Sequence, residues 1–230
     1  YHVNCTDGFG GAWAAWKKFG SQADYIGVLH QMPLPAGLIG KEIYTVDFTY
    51  PLEITKQLIK KNKRVTAIEH HISSKKATLS TVDPLYAINH SGSVLAWKYF
   101  HPGKSVPLLL RYVEDGDLWR FRLPQAEAIL MYLDLFDFNF RVWNKLAQEV
   151  ADPKKRKRWI ENGKLLLRSE GKIVDRLVAG SAELVSFAGH RTLAVNSATL
   201  ASEIGHMLVK KYPPIGIIWK EKDGKVIVSL

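Results

Sequence analysis

Hydrophobic and polar positions along this chain follow two different periods, and the change between them divides the sequence. Over the first half, short apolar runs alternate with segments of helical spacing. The runs at 25–30, 43–47 (IYTVD) and 65–68 predict β-strands, and Tyr1-His2-Val3 reads as the tail of another. Helices are predicted over 10–19 (GGAWAAWKKF, just after Asp7-Gly8), from Pro51 to about Lys61, over 91–100 and over 108–115. Pro51 suits a first helical turn, where its missing N–H costs least. Strands separated by helices predict an α/β fold with a mostly parallel sheet. Such sheets gather ligands at the carboxyl ends of their strands.

The pattern then turns helical. Residues 126–136, 140–150 and 153–187 read as helices, the last on the spacing of Leu166, Ile173, Leu177, Leu184 and Phe187. A fresh α/β unit follows: a strand at 192–196, a helix at 200–211, and strands at 215–220 and 225–230. Asp223-Gly224 supplies a hairpin turn between the last two. The expected organisation is a parallel α/β domain over 1–150, a helical connector over 151–188 and a smaller α/β domain over 189–230. That smaller domain reads as incomplete, since it closes on the apolar strand Val226-Ile227-Val228 with no turn or polar tail.

Composition narrows the possibilities. At 230 residues and 47% hydrophobic, the chain can bury a sizeable core. No stretch reaches 18 consecutive apolar residues, so neither a spanning helix nor a membrane partner is expected. Cys5 is the single cysteine, which excludes an internal disulfide and a cysteine-rich metal site and suits the reducing cytoplasm. A formal charge of +10 favours polyanionic partners: nucleotides, polyphosphate or single-stranded nucleic acid. The run Lys154-Lys155-Arg156-Lys157-Arg158 reads as a solvated helix face.

The candidate chemistry sits at successive strand ends. One carries His2 through Gly8, another Asp47, and a third Glu69-His70-His71; Asp115 and Asp117 lie in a later acidic cluster. Carboxylates with neutral imidazoles suit Mn²⁺, or Mg²⁺, better than structural zinc. Gly8, Gly10 and Gly11 allow either a phosphate at a helix start or close helix–sheet packing. Cys5 reads as a small neighbour of the site rather than a nucleophile.

Residues 1–12 (YHVNCTDGFGGA), VDFTYP with Asp47, IEHHISS, NHSGSVLAWKYF and YVEDGDLWRF together, and in this order, resemble the DHH phosphoesterase superfamily. The branch that fits best has a first motif reading H-x-N-C-x-D-G-F-G-A-A. The final α/β unit looks like the start of a DHHA1 substrate-binding domain, which in the family continues to a Gly-Gly-Gly-His motif. Two positions depart from the family pattern: Glu69 stands where the defining motif has Asp, and Thr6 stands where many members have a further Asp.

The resemblance implies two Mn²⁺ ions held by His2, Asp7, Asp47, His70 and Asp115, with Asp47 bridging. It implies catalytic roles for Asp47, His70 and His71, and substrate contacts from Ser91, Gly92 and His71. Glu69 and Asp117 would support the ligands from behind, Asp117 being the second choice for the place given to Asp115. The implied activity is metal-dependent phosphohydrolysis of phosphodiester or phosphoanhydride bonds, in short oligonucleotides or nucleotides, by water activated between two metals. The contrasting expectation, resting on Glu69 and Thr6, is a non-catalytic nucleic-acid or regulatory binding protein that keeps the fold.

Overall fold

A computed structural model describes residues 1–29 and 32–230. The chain divides into two compact units, Tyr1–Lys164 and Leu165–Leu230. Among the described residues no helix is long and apolar enough to cross a membrane.

In the first unit, α1 (Thr6–Phe19), β1 (Glu42–Val46), α2 (Leu52–Lys61), β2 (Arg64–Glu69), α3 (Lys75–Thr78) and β3 (Leu85–Tyr86) follow one another. Helices α4 (Gly92–Phe100), α5 (Leu108–Asp117), α6 (Ala126–Leu133) and α7 (Phe140–Ala151) come next. The strands pair in parallel, in the order β1-β2-β3, with Val46 opposite Ile68 and Glu69 opposite Tyr86. Five of the six β2 residues are buried, as expected for a strand covered on both faces. Beside β1, the His2 N–H donates to the Val46 carbonyl (3.3 Å), and His2 forms a parallel bridge with Val28. The strand expected over 25–30 is reduced to that bridge; His30 lies outside the described residues.

Helix α1 begins at Thr6, earlier than its spacing predicts, and this settles the role of its glycines. A Cβ on Gly8 would meet the His2 carbonyl oxygen at 2.1 Å, and one on Gly11 would meet Val46 Cγ1 at 2.3 Å. The glycines let the helix lie directly on the sheet edge. The core is strongly aromatic. Phe9 packs against Phe138, Phe140 and Trp143 at centroid distances of 5.1, 5.0 and 5.0 Å, and Trp13 stacks on Trp97 at 5.8 Å.

Helix α8 (Pro153–Ser181) spans the boundary between the units. It ends before 187, where helical spacing had carried it: Glu183–Phe187 is strand β4, paired antiparallel with β5 (His190–Asn196). Ala188 and Gly189 have positive φ (49° and 82°), so they form the turn that folds β4 onto β5. Leu184 and Phe187, three apart, imitate a helix stripe while lying on an edge strand. Helix α9 (Ala201–Lys211) leads to β6 (Gly216–Lys222) and β7 (Lys225–Ser229), giving the order β4-β5-β6-β7. Only β5 and β6 run parallel. Ile204 and Leu208 pack with Val195, Ile218, Val174 and Val178 in a separate small core. Asp223 and Gly224 turn the last hairpin with φ of 52° and 69°. The architecture is thus mixed α/β, with one parallel and one mixed sheet.

Candidate metal centre

Four chain segments bring donors to the carboxyl end of the parallel sheet. Asp7 is the second residue of α1, Asp47 follows β1, His70 and His71 follow β2, and Asp117 ends α5. The Asp47 N–H still donates to the Ile68 carbonyl (3.0 Å), after which φ of +54° turns the chain. Asp is one of the few residues that adopts this conformation readily.

His70 is the centre of the group. Its Nε2 lies 3.2 Å from Asp47 Oδ1, 3.7 Å from Asp117 Oδ2 and 3.9 Å from Asp7 Oδ2. The other Asp47 oxygen lies 3.7 Å from His2 Nδ1 and 3.7 Å from Cys5 Sγ. His71 Nδ1 is 3.9 Å from Asp47 Oδ1. Three sets of donor atoms fall within 4.8 Å of one another: His2, Cys5 and Asp47; Asp47, His70 and His71; Asp7, His70 and Asp117.

Electrostatics distinguish these groups. Asp7, almost fully buried, has its carboxyl pushed well up by burial and by the charges of Asp47 and Asp117. Burial likewise raises Asp117 to about 6. Burial would also raise Asp47, but the facing imidazoles of His2 and His70 outweigh it and hold this carboxyl below its usual range. For His70, burial favours the neutral ring; Asp47, Asp117 and Asp7 outweigh it and bring the imidazole to about 9. Burial and the neighbouring Asp47 push the Cys5 thiol up to about 12, which favours its neutral form. Three carboxylates around one imidazole form a site in which protons offset charge that a cation could offset instead. The oxygen and nitrogen donors are of the kind that could hold a divalent metal ion.

Glu69 is fully buried and turns its Oε2 back on the following residues. It accepts from the N–H groups of His70 (2.5 Å) and His71 (2.7 Å) and lies 2.9 Å from His71 Nδ1. It thereby fixes the His71 ring, whose pKa this contact raises. Glu69 thus engages the two residues that follow it, through a side chain long enough to fold back on its own backbone.

Two expected roles fall elsewhere. Asp115 does not join the group: its Oδ2 accepts the Leu123 N–H (2.7 Å), while its carbonyl accepts from Arg120 (2.8 Å) and Phe121 (3.2 Å). Helix α5 runs two residues beyond its expected end, and that extra arc turns Asp117, not Asp115, towards His70. Ser91 and Gly92 are buried and already engaged. Ser91 Oγ caps α4 by accepting from the Val94 N–H and pairs with Ser93 Oγ. The Gly92 and Ser93 N–H groups donate to Asp7 at 2.6 and 3.0 Å. The amino end of α4 therefore holds the Asp7 carboxylate, as its dipole favours. Sequence reasoning overlooked Glu114, which accepts from Ser91 N–H (3.0 Å) and lies 2.9 Å from His90 Nδ1. Its spacing of three from Asp117 on a helix was the available signal.

No protein-family model matches this chain. The chain is 25% identical over 234 residues to the uncharacterized protein R106 of Acanthamoeba polyphaga mimivirus, covering 93% of this chain and 54% of that protein. It thus spans about half the length of this curated relative. Its fold is similar to the crystal structure of an uncharacterized protein from Helicobacter pylori G27. The TM-score is 0.51 at 10% identity, over 93% of this chain and 79% of the other.

Proposed function

We propose that this protein is a Mn²⁺-dependent phosphohydrolase of the DHH type, cleaving phosphodiester or phosphoanhydride bonds in short oligonucleotides or nucleotides. The observation that carries the reading is the double engagement of Asp47, with Oδ2 facing His2 and Oδ1 facing His70. A carboxylate so placed can serve two adjoining cation sites: His2 and Asp47 on one side, and Asp47, His70, Asp7 and Asp117 on the other. The order of motifs along the chain and the net positive charge support the same reading. Bound ions of this kind lower the pKa of water and offset charge on phosphoryl oxygens.

The chain's own residues supply the rest. Asp7 is oriented by two backbone N–H groups, so its oxygens are fixed before any ligand arrives. His71 is the most exposed imidazole of the group, with 44% of its side chain accessible. Glu69 anchors its Nδ1 and favours the protonated ring, which suits it to donate a proton to a departing oxygen.

The test joins Mn²⁺ calorimetry to a hydrolysis panel of dinucleotides, cyclic dinucleotides, single-stranded DNA and polyphosphate. Wild-type protein should bind Mn²⁺ and hydrolyse at least one class. Asp47→Ala should remove turnover and most Mn²⁺ affinity while the far-ultraviolet circular dichroism stays unchanged. Near-normal turnover in that variant would overturn the assignment.

A further inference from the structure

We infer that Trp119 is the platform on which the base of a nucleotidic substrate stacks. This deepens the reading above and rests on it for the kind of ligand. Trp119 stands two residues after Asp117, so the two Cα atoms are at most about 7.6 Å apart. That spacing places the backbone of Trp119 beside the candidate centre.

The loop that presents it is held from several sides. Trp119 N–H donates to the Gly116 carbonyl (2.8 Å), and the N–H groups of Arg120, Phe121 and Leu123 all go to Asp115. The Arg120 guanidinium donates to the Asn89 carbonyl (2.8 Å) and lies 3.9 Å from Glu114. Within this frame Trp119 and Phe121 both have positive φ, 52° and 48°. Bulky aromatic residues adopt that conformation only under constraint, and such strain gathers at functional sites. In that loop the indole meets Phe121 edge-on at 5.1 Å, and the residue remains 54% exposed. Trp13, Trp97, Trp143 and Trp159 in the same unit are all buried. An accessible indole beside phosphate-directed chemistry suits a base, because every base offers a π-face.

The experiment titrates Mn²⁺-loaded protein with adenosine 5′-monophosphate and with ribose 5-phosphate, which lacks the base. Wild-type protein should bind the nucleotide about 5- to 100-fold more tightly, the range expected of one stacked base. Trp119→Ala should bring that ratio close to one, and Trp119→Phe should keep most of it. A wild-type ratio near one, or a ratio unchanged in Trp119→Ala, would overturn the inference. Hydrolysis of the dinucleotide, cyclic dinucleotide, single-stranded DNA and polyphosphate panel is scored separately. A base-dependent ratio without hydrolysis sinks the phosphohydrolase reading and leaves the platform standing; hydrolysis with a ratio of one sinks only the platform.

Discussion

A Cβ on Gly92 would lie 2.6 Å from the Cβ of Asp47 and 2.8 Å from its Oδ1. The start of α4 therefore approaches Asp47 as closely as a backbone can, while its N–H holds Asp7. Gly92→Ala should displace one carboxylate or the other. We expect at least a tenfold loss of Mn²⁺ affinity and a destabilisation of about 1–3 kcal/mol, typical of overpacking. Calorimetry and denaturant unfolding give both numbers, and an unaffected Mn²⁺ affinity would show that the contact is not critical.

Asp115 and Asp117 make a matched pair of tests. Asp117→Asn should weaken Mn²⁺ binding and turnover with little effect on folding, because its carboxylate faces His70. Asp115→Asn should instead destabilise the loop after α5 by about 1–2 kcal/mol through its weakened bond to the Leu123 N–H. Strong Mn²⁺ loss in the Asp115 variant alone would reverse the two roles.

The metal-free protein should lose stability as the pH rises. Burial, partly opposed by His70 and reinforced by the charge of Asp47, moves the Asp117 carboxyl from 3.8 to about 6; His70 moves from 6.5 to about 9. A group whose pKa is higher in the folded chain stabilises the fold below its unfolded value and surrenders that stability as pH climbs through its folded value. Declines follow between 3.8 and about 6 for Asp117 and between 6.5 and about 9 for His70, and the raised Asp7 and His71 act in the same sense. Asp47, held low, acts in the opposite sense, and its contribution disappears as the pH falls below 3.8. Melts in a chelating buffer would show the declines. Mn²⁺ affinity should increase across the same interval, since binding releases these protons. Affinity flat from pH 6 to 9 would contradict the protonation states assigned here.

Glu69→Asp withdraws the carboxylate from two N–H groups and one imidazole at once. The expected loss in Mn²⁺ affinity or rate is about 10- to 100-fold, as for other residues that orient ligands. Glu69→Gln, which keeps the length, should lose less. Complete inactivity of both variants would make Glu69 a ligand in its own right.

Some of this arrangement was legible in the sequence. Asp47 and His70 end apolar runs, and parallel strands in register bring such ends together. Asp117 was harder to identify, because Glu-Asp-Gly-Asp on a helix offers three acids whose directions depend on where the helix stops. Ser91 and Gly92 announced a helix start, yet the acceptor for the Gly92 N–H, Asp7, lies 85 residues away. Local pattern reveals a donor's presence but not the distant partner that engages it. Strand β4 was hidden for a different reason: an edge strand buries little, so its apolar spacing carries no period of two.

The aromatic cluster around Phe9 gives the site a second set of authors. Phe9 is two residues from Asp7 on the same helix, and its ring is wedged among Phe138, Phe140 and Trp143. Those three rings come from a stretch of chain that contributes no donor to the centre. Drift in their size would tilt α1 and carry Asp7 with it, so inherited changes at positions 138, 140 and 143 should track those at the acidic motif. A search for the origins of altered site geometry among relatives should therefore begin as much at residues 138–143 as at the acidic and histidine side chains themselves.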